Sequence, residues 1–467
     1  MPDLQPIDPS TNPYLQGGFA PIHRELTVDG LEVEGTIPDG LVGAYLRNGP
    51  NPKFTPLGSY TFPMEGDAMV HGVWFEDDGT VRYRNRWVRT KGMGAEEKAG
   101  RALFGGLMTP AFVDQSLLDP DPDPGWPFRL DPFINVVRHG GHHIALAESL
   151  PAYELTPDLE TIGLFNYGGR FSSMCAHPRI DPLTGEMVLF GYDVEEPFLV
   201  WMVVNPDGTV KSGPTVVDGV DAGYMIHDCV ISARYLVLVL APVVFDIDAM
   251  MTGGDVLAWK PELGTRIACI PRDGTPVRWL HTDPFFVWHH GNAYDQGDDV
   301  VMDFSWWSSF TLGADPTRTG SFVQATLHPE SGTVDVEHVE DRMSEFARID
   351  ARRTGQPHRY VTVSRKSGRA GLDPGVFDQL CRYDMSTGAT SVYDADLAFG
   401  EVVFAPRAGG TDELDGFYLT YGTDPSAQHT WLLIWDAASF PSDPVARVRM
   451  PQRIPFGLHG NWMPAEG

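Results

Sequence analysis

The sequence predicts an all-β fold built from many short strands, of the sandwich, barrel or propeller type. Three observations carry this prediction. Short apolar or alternating runs recur along the chain, with turns containing Gly or Pro-Asp between them. Glycine (50 residues) and proline (39 residues) make up about 19% of the 467 residues, a share typical of short strands and turns. Finally, strands do not alternate with helices, and there is no GxGxxG motif.

Dipeptides that end in glycine mark the expected hairpin turns, because glycine readily adopts the positive φ that such turns require. They stand between strand-like runs at 78–79, 184–185, 207–208, 331–332 and 387–388. This hairpin spacing, over a long chain without an obvious linker, favours a propeller that forms one domain over residues 1–467. No strict repeat, such as a WD signature, accompanies it.

Few segments depart from this strand pattern. Helices are predicted at 94–104, 112–117, 246–251 and 374–380. The longest apolar run, 235–245 (YLVLVLAPVVF), is too short to span a bilayer and predicts a buried strand. Segment 241–263 is apolar but broken by glycines. It predicts an excursion from the strands, of the kind in which binding cavities are built.

Composition limits the partners. The net charge of −29 and the pI of about 4.7 argue against nucleic acid and anionic membrane surfaces, which attract basic patches. The four cysteines form no CxxC pair, and the first residues, MPDLQP, lack the basic and apolar regions of a signal peptide. We therefore expect a monomeric protein with free thiols in a reducing cytoplasm.

Four of the 15 histidines share an unusual setting, since each lies inside or at the end of an apolar, strand-like segment. They are His177, His227, His289 and His459. For each one alone, a hydrogen-bonded core histidine is the commoner explanation, but four together indicate a site. In contrast, polar neighbours predict surface positions for His328, His338, His358 and His429.

The four histidines lie 50, 62 and 170 residues apart, unlike the ligands of a zinc finger or an HExxH helix. Such spacing suits a ring of blades that each send one side chain to the axis. Imidazole suits zinc, copper, iron and nickel, so the ligand type leaves the metal open. Zinc held by four protein ligands would be structural, whereas octahedral iron would keep positions for O2 and for water or substrate.

Metal-bound histidines usually donate their second ring N–H to a carboxylate or carbonyl. Three glutamates stand in apolar surroundings and are candidates for that role: Glu148, Glu345 and Glu401. An exposed carboxylate at the end of a strand is the alternative for each. A buried glutamate without a partner would be costly, so burial would imply a histidine partner.

At these residues the chain resembles the carotenoid cleavage oxygenases, the family that includes apocarotenoid oxygenases, stilbene-cleaving oxygenases and the retinoid isomerohydrolase of the visual cycle. The resemblance runs nearly end to end, and its motifs occur in the family's order. The motifs are residues 45–52 (YLRNGPNP), 65–71 (EGDAMVH), 176–182 (AHPRIDP), 225–228 (MIHD), 288–293 (WHHGNA), 345–350 (EFARID), 401–407 (EVVFAPR) and 458–462 (LHGNW).

The resemblance implies a seven-bladed β-propeller capped by a dome of loops and short helices. It implies one Fe(II) per chain, held on the axis by the four histidines that match the family's ligands: His177, His227, His289 and His459. The glutamates that contact these ligands in the family match Glu148, Glu345 and Glu401, expected to face the last three of these histidines in that order. His177 would have no such partner.

The reaction implied by the resemblance is cleavage of a conjugated carbon–carbon double bond by O2 into two carbonyl products, without an organic cofactor. A substrate tunnel is expected over the iron. Its expected lining is Leu107, Ala147, Phe286, Trp288 and Phe456.

Two positions bear on the substrate. Stilbene and phenylpropene cleavers of this family carry a Lys before the first glutamate and a Tyr near an upstream Leu-Phe-Gly, whereas this chain has Ala147 and Leu107. An apolar carotenoid or apocarotenoid is therefore favoured, and a stilbene or phenylpropene that yields a vanillin-type aldehyde is the alternative. Segment 241–263 would then either touch a membrane surface transiently or pack within the dome.

Two further alternatives share the fold. One is an isomerase-hydrolase, and the other is a non-catalytic propeller that binds a lipid or partner and holds a structural metal. The complete set of four histidines and three glutamates argues against the non-catalytic protein.

Overall fold

The structure, a computed structural model, describes residues 4–61, 63–109, 113, 129, 131–251, 254–312, 317–369, 372, 375–424 and 429–465. Strands dominate this part of the chain. In chain order they are β1 (Thr27–Val28), β2 (Val33–Gly35), β3 (Gly43–Arg47), β4 (Met69–Phe75), β5 (Val81–Trp87), β6 (Asn135–His139), β7 (His142–Leu146), β8 (Ala152–Leu155), β9 (Thr161–Phe165), β10 (Arg179–Ile180), β11 (Met187–Tyr192), β12 (Leu199–Val204), β13 (Val210–Val216), β14 (Cys229–Ile231), β15 (Tyr235–Leu240), β16 (Val243–Phe245), β17 (Leu257–Trp259), β18 (Thr265–Pro271), β19 (Arg278–Thr282), β20 (Phe286–Gln296), β21 (Asp299–Trp307), β22 (Gly320–His328), β23 (Thr333–Glu340), β24 (Ser344–Arg348), β25 (Tyr360–Arg365), β26 (Phe377–Asp384), β27 (Ala389–Phe399), β28 (Val403–Pro406), β29 (Gly416–Thr423), β30 (Thr430–Asp436), β31 (Ala446–Arg449) and β32 (Gly460–Pro464).

Helices are few in the described residues. Two are α-helices, α1 (Lys91–Ala99) and α2 (Ile247–Met251). Short 3-10 turns occur at Pro9–Thr11, Pro13–Leu15, Gly17–Phe19, Pro261–Leu263, Ala351–Arg353 and Ala437–Ser439.

The strands form the seven blades of a β-propeller, as the resemblance implied. Blade 1 has the order β1-β5-β4-β3-β32, blade 2 is β6–β9, blade 3 is β10–β13, blade 4 is β14-β15-β18-β19 and blade 5 is β20–β23. Blades 6 (β24–β27) and 7 (β28-β29-β30-β31-β2) share one sheet, because Ala398 and Phe399 of β27 pair with Thr423 and Gly422 of β29. All pairings between these strands are antiparallel.

Strands from the two ends of the chain close the ring twice. In blade 1, β32 pairs with β3 from Gly43↔Pro464 to Arg47↔Gly460. In blade 7, β2 pairs with β31 from Val33↔Val448 to Gly35↔Ala446. The last strand is therefore part of the ring, and its position brings residue 459 to the axis.

The first strands of neighbouring blades meet around the axis, where β10 contacts β14, β14 contacts β20, β20 contacts β24, and β32 contacts both β28 and β6. Apolar clusters fill the spaces between blades. Between blades 4 and 5, for example, Val237 and Leu280 pack with Val300, Phe304 and Val323. Burial of such faces on both sides of each sheet stabilises the ring.

The predicted turns are confirmed, and the predicted helices only partly so. Glycine turns join β4 to β5, β10 to β11, β12 to β13, β22 to β23 and β26 to β27. The helix predicted at 246–251 is confirmed as α2. The helix predicted at 94–104 overlaps α1, but α1 starts earlier because the Thr90 hydroxyl caps it by accepting from Met93 N at 3.1 Å. It ends at Gly100, whose φ is 67°.

Two segments differ from their prediction. The helix predicted at 374–380 is wrong, because β26 begins at Phe377 and pairs with β25 and β27. The run 235–245 is buried as expected but is split into β15 and β16, which belong to different sheets. The helix predicted at 112–117 falls, except for residue 113, outside the described residues.

Segment 241–263 forms an excursion, as predicted, and its described residues pack over the ring. It contributes the ribbon of β16 and β17 and the helix α2. Met250 and Leu257 are buried there against Phe286, Trp307 and Phe310. Of the two roles left open by the sequence, dome packing is therefore the one seen for these side chains. In the described chain, no helix is long and apolar enough to cross a membrane.

Candidate metal centre

Each of the seven blades contributes one polar residue to a cluster on the axis. Three histidines come just before the first or closing strand of a blade (β10, β14 and β32), and the fourth lies within β20. By blade, the residues are His459 (blade 1), Glu148 (blade 2), His177 (blade 3), His227 (blade 4), His289 (blade 5), Glu345 (blade 6) and Glu401 (blade 7). All four histidines are buried, with exposed fractions of 1–9%.

The ring nitrogens of the four histidines converge. One ligand atom from each lies within 4.8 Å of the others. The Nε2 atom of His227 is 3.2 Å from Nε2 of His177 and 3.2 Å from Nε2 of His289. The His459 ring lies 4.3 Å from His177 and 4.6 Å from His289, measured between ring centroids.

Three of the histidines contact a glutamate through the opposite ring nitrogen. His227 Nδ1 contacts Glu148 Oε2, His289 Nδ1 lies 2.6 Å from Glu345 Oε2, and His459 Nδ1 lies 2.9 Å from Glu401 Oε1. These are the pairings expected from the sequence. Within the described chain, no carboxylate forms an ion pair with His177.

Each of these carboxylates has a further partner that the sequence did not single out. The Tyr192 hydroxyl donates to Glu148 Oε1 at 2.8 Å, and the Trp307 indole N–H donates to Glu345 Oε1. Arg348 Nη1 donates to Glu401 Oε1 at 3.3 Å. Arg348 belongs to the motif at 345–350, and its position three residues after Glu345 could have indicated a role at the site. Tyr192 and Trp307 stand in ordinary strand patterns that gave no such signal.

Near the cluster, local distortions of the backbone break the usual alternation of side chains, so that residues adjacent in sequence face the same side of a strand. Ser149 and Phe346, which directly follow Glu148 and Glu345, have positive φ values of 49° and 58°. For residues other than glycine this conformation is costly and tends to occur at functional sites. In β20, a register shift between Val287 and His290 breaks the alternation of side chains, so that Trp288 and His289 both face the cavity described below.

Burial and neighbouring charges set the protonation of the cluster. Burial, reinforced by the other histidines, lowers the pKa of His177 and His289 well below the ordinary value, so both rings are neutral near pH 7. Burial opposes protonation of His227 as well, but the Glu148 carboxylate raises its pKa. Burial raises the pKa of Glu345 to about 7. Burial would also raise the pKa of Glu401, but the charge of Arg348 and the hydrogen bond with His459 hold it at about 2.

The donor set fits a metal cation. A neutral imidazole whose Nδ1–H donates to a carboxylate presents the lone pair of Nε2 on its other side. The Nε2 atoms of His227 and His289 lie 3.2 Å apart, close enough for one cation to accept both lone pairs. With metal–nitrogen bonds of about 2.0–2.1 Å, nitrogens on one ion lie about 3 Å apart. His459 Nε2 is buried and has no hydrogen-bond partner in the described structure, as expected of an atom that binds a metal.

A cavity of about 930 Å³ adjoins the cluster under the dome. His227, His289 and His459 form part of its wall, together with Glu148 and Glu345. Most of the remaining wall is apolar, including Leu107, Met225, Phe245, Trp288 and Phe346. Pockets of this size and character bind small apolar molecules.

Two of the five residues expected in the substrate tunnel, Leu107 and Trp288, line this cavity. Ala147, Phe286 and Phe456 do not, which corrects the expectation for them. Ala147 is fully buried in the core between blades 1 and 2, because its neighbour Glu148 takes the inward direction. Phe286 lies behind the cavity wall, with its ring 4.8 Å from that of Trp288. Phe456 packs edge-on against Phe19 at 4.9 Å and lines a separate cavity of about 40 Å³.

Comparison with known proteins decides the family. A match to the retinal pigment epithelial membrane protein family covers residues 19–464. A carotenoid cleavage oxygenase of Mycobacterium tuberculosis is 33% identical over 513 aligned residues, covering 97% of this chain and 98% of that protein. This chain belongs to the carotenoid cleavage oxygenase family. The resemblance inferred from the eight motifs is confirmed.

Solved structures agree with this carotenoid cleavage oxygenase fold. The lignostilbene dioxygenase of Pseudomonas brassicacearum superposes with a TM-score of 0.88 at 26% identity, covering 97% of this chain and 99% of that chain. The cobalt-substituted apocarotenoid oxygenase of Synechocystis superposes with a TM-score of 0.84 at 26% identity, covering 98% and 99%. All three names describe oxygenases, and this family member is an oxidoreductase of the same class.

Proposed function

We propose that this carotenoid cleavage oxygenase is a non-haem Fe(II) dioxygenase that cleaves a conjugated C=C double bond of a carotenoid or apocarotenoid. One alkene and one O2 give two carbonyl products, so that each new C=O takes one oxygen atom. The observation that carries the proposal is the cluster of four buried histidines whose ring nitrogens converge at the wall of a largely apolar cavity.

Each residue of the cluster has a role in this proposal. His177, His227, His289 and His459 hold one iron per chain through their converging nitrogens. Glu148, Glu345 and Glu401 fix the tautomer and orientation of the last three rings. Bound iron would supply the activation of O2, and no organic cofactor is required.

The cavity wall acts on the substrate. Its apolar side chains exclude water and hold one alkene beside the histidines, which is catalysis by positioning. Phe346 is central to this wall, because its ring stacks on His289 at 5.2 Å and meets His459 edge-on at 5.5 Å. The same ring therefore packs two ligands and presents an apolar face to the substrate.

The polyene is preferred over a phenolic alkene for two reasons. Leu107 contributes an apolar side chain to the wall where phenol-binding relatives carry a tyrosine. The volume of about 930 Å³ also exceeds the needs of a two-ring alkene. Oxidative cleavage of a stilbene or phenylpropene remains the second candidate, and the superposition on a lignostilbene dioxygenase favours it.

We further propose a single-domain, monomeric protein of the cytoplasm. The net charge of −29 supports solubility without association, and all four cysteines are buried free thiols, as a reducing compartment maintains. Transient contact with a membrane surface would supply an apolar substrate. Sedimentation with and without neutral lipid vesicles measures both the assembly state and this contact.

Purified, iron-loaded protein incubated in air with an apocarotenal and with a hydroxystilbene tests the substrate class. We expect loss of the polyene absorbance and two carbonyl products from the apocarotenal. Turnover of the hydroxystilbene alone would replace the preferred substrate by the second candidate. Turnover of neither, by protein that retains iron, would contradict the proposed activity.

A further inference from the structure

A second, small cavity contains a buried arginine. This cavity of about 40 Å³ adjoins the larger one, since Phe346, Gly375 and Leu458 line both. Its wall also includes Arg47 from β3 of blade 1 and Tyr421 from β29 of blade 7. These two residues are only 5% and 6% exposed, and the guanidinium carbon lies 5.4 Å from the centroid of the tyrosine ring.

Both side chains have a polar atom without a hydrogen-bond partner in the part of the chain that the structure describes. Arg47 Nη2 donates to the Pro455 carbonyl at 2.9 Å, whereas Arg47 Nε is buried and has no such partner there. The buried Tyr421 hydroxyl has none there either. Buried polar atoms are almost always paired, so two unpaired ones at the same small cavity indicate a bound group.

The charge of Arg47 has no counter-ion among the described residues. Glu401 is the one acidic residue in the described part of the wall, but its oxygens are already engaged. Its Oε1 accepts from Arg348 Nη1 and contacts His459 Nδ1, and its Oε2 accepts from the Gly460 N–H. Because Arg348 offsets the charge of Glu401, the positive charge of Arg47 remains unbalanced.

A second arginine adds positive charge to the same region. The guanidinium of Arg453 donates to the backbone carbonyls of Gly18 and Ala20. Burial lowers the pKa of His71, and the charges of Arg47 and Arg453 lower it further, so this ring is neutral. Two buried guanidinium groups therefore make this part of the molecule attractive to an anion.

We propose that Arg47 and Tyr421 bind a small inorganic anion of the size of chloride. A guanidinium keeps its proton at neutral pH, so a buried one needs a negative partner. The Arg47 Nε–H and the Tyr421 hydroxyl can both donate to one ion. A single water molecule needs about 10–15 Å³, so a cavity of about 40 Å³ admits a halide but excludes a fatty acid or a carotenoid.

The anion stabilises the chain segment that carries His459. A methyl group in place of the Gly457 hydrogen would lie 1.4 Å from Arg47 Nη1, so this segment runs directly against the guanidinium. The next residue, Asn48, exchanges backbone hydrogen bonds with the same segment. Its N–H donates to the His459 carbonyl at 2.9 Å, and its carbonyl accepts from Leu458 N at 3.0 Å. Pairing of Arg47 with an anion therefore removes an unbalanced charge from the contact that positions His459.

Anomalous scattering locates a bound halide directly. Crystals of the iron-loaded protein grown with sodium bromide should show a bromine peak between Arg47 and Tyr421. Electron density for water only at this place would overturn the inference, and so would a bromide bound at the iron alone.

Thermal unfolding tests whether the site fills in solution. We expect Tm of the iron-loaded protein to rise by about 1–3 °C when sodium chloride replaces sodium gluconate at equal ionic strength. Gluconate is too large for a cavity of about 40 Å³ and serves as the anion that does not bind. Tyr421→Phe and Arg47→Met should each remove most of this rise, because each removes a donor to the ion.

Tyr418→Phe is the matched control, because Tyr418 lies on the same strand as Tyr421 but packs in another core cluster, with Phe404 and Phe440. It should keep the full rise in Tm with chloride. Tyr421→Phe, which removes a single oxygen atom, carries the test if Arg47→Met fails to fold.

Two results in solution would overturn the inference. A bromine peak in the crystal without a response of Tm to chloride would mean an adventitious ion only. An equal response in the wild type and all three variants would place the halide elsewhere on the protein. Binding of an anion here requires no particular substrate, so neither result bears on the proposed function.

Discussion

At the scale of single residues, Glu401 shows how a carboxylate holds a candidate ligand. Its Oε1 lies 2.9 Å from His459 Nδ1, and its Oε2 accepts from Gly460 N at 3.0 Å. Glu401→Gln keeps the shape and one acceptor but removes the negative charge. Because outer partners of metal-bound histidines contribute to ligand basicity, we expect iron affinity to fall about 10–100-fold. Anaerobic titration with Fe(II) measures this affinity.

Glu262→Gln is the control for this change, since Glu262 is an exposed glutamate in the dome and should leave the affinity unaltered. An unchanged iron affinity in Glu401→Gln would contradict the role of this carboxylate in holding His459 as a ligand. Loss of folding in circular dichroism would instead assign Glu401 a role in the ring itself.

The positions of individual site residues were predicted correctly where those residues belong to a recognisable sequence motif. The four histidines and their three glutamate partners come together as expected. His358 did not follow the prediction of a surface position, because its side chain is 1% exposed and lies 2.7 Å from buried Asp303. Polar sequence neighbours suggested solvent, but the partner comes from β21, more than 50 residues earlier. Contacts of this range leave no local pattern.

At the scale of strands, Glu340 links two blades. It ends β23 in blade 5, and its carboxylate accepts from Arg365 Nη1 at 2.5 Å at the end of β25 in blade 6. Partial burial opposes ionisation, but hydrogen bonds from Arg342 and the charge of Arg365 lower the pKa of Glu340 from its ordinary 4.5 to about 2. A lowered folded-state pKa contributes stability above pH 4.5, and this contribution is lost as the pH falls toward 2.

Glu340→Gln should therefore lower Tm at pH 7, and the difference from the wild type should shrink steadily below pH 4.5. Thermal scans at fixed rate between pH 7 and pH 3 measure it. Glu337→Gln, an exposed position on the same strand, is the matched control and should track the wild type. A Tm difference that persists undiminished at pH 3 would assign the effect to packing and not to the ion pair.

The positions of strands and turns were predictable because residues close in sequence specify them. The wrong predictions of secondary structure arise from contacts between residues that are distant in sequence. Glycine dipeptides gave the hairpins correctly. Segment 374–380 was expected to be helical, but its polar residues Asp378 and Gln379 lie in β26. In β26 those polar groups face partners on other segments, with Gln379 Oε1 accepting from Arg365 at 2.8 Å and Asp378 Oδ1 accepting from Ser367 N at 2.8 Å. Buried polar residues with cross-strand partners resemble exposed ones in sequence.

At the scale of the whole molecule, the C-terminal strand both closes the ring and carries a ligand. Deletion of residues 458–467 removes His459 and also leaves β3 of blade 1 without its partner β32. We expect loss of iron binding together with a large fall in Tm, measured by metal analysis and circular dichroism. Deletion of residues 465–467 is the control and should preserve both. Full iron content in the longer deletion would contradict the assignment of His459 as a ligand.

The candidate metal centre joins blades 1, 3, 4 and 5, so a bound ion should hold the ring together as well as serve the reaction. Anything that binds only the folded state stabilises it by mass action, by about 2.7 kcal/mol at a free concentration of 100 Kd. We therefore expect Tm to rise by a few degrees when Fe(II) is added anaerobically to protein stripped by a chelator. Calorimetry at one scan rate measures the rise, since a protein of this size can unfold irreversibly.

His459→Ala should show no rise in Tm on addition of Fe(II), whereas His281→Ala, at an exposed position on β19, should behave as the wild type. An equal rise in all three proteins would place the stabilising iron elsewhere and separate the ring's stability from the four-histidine cluster.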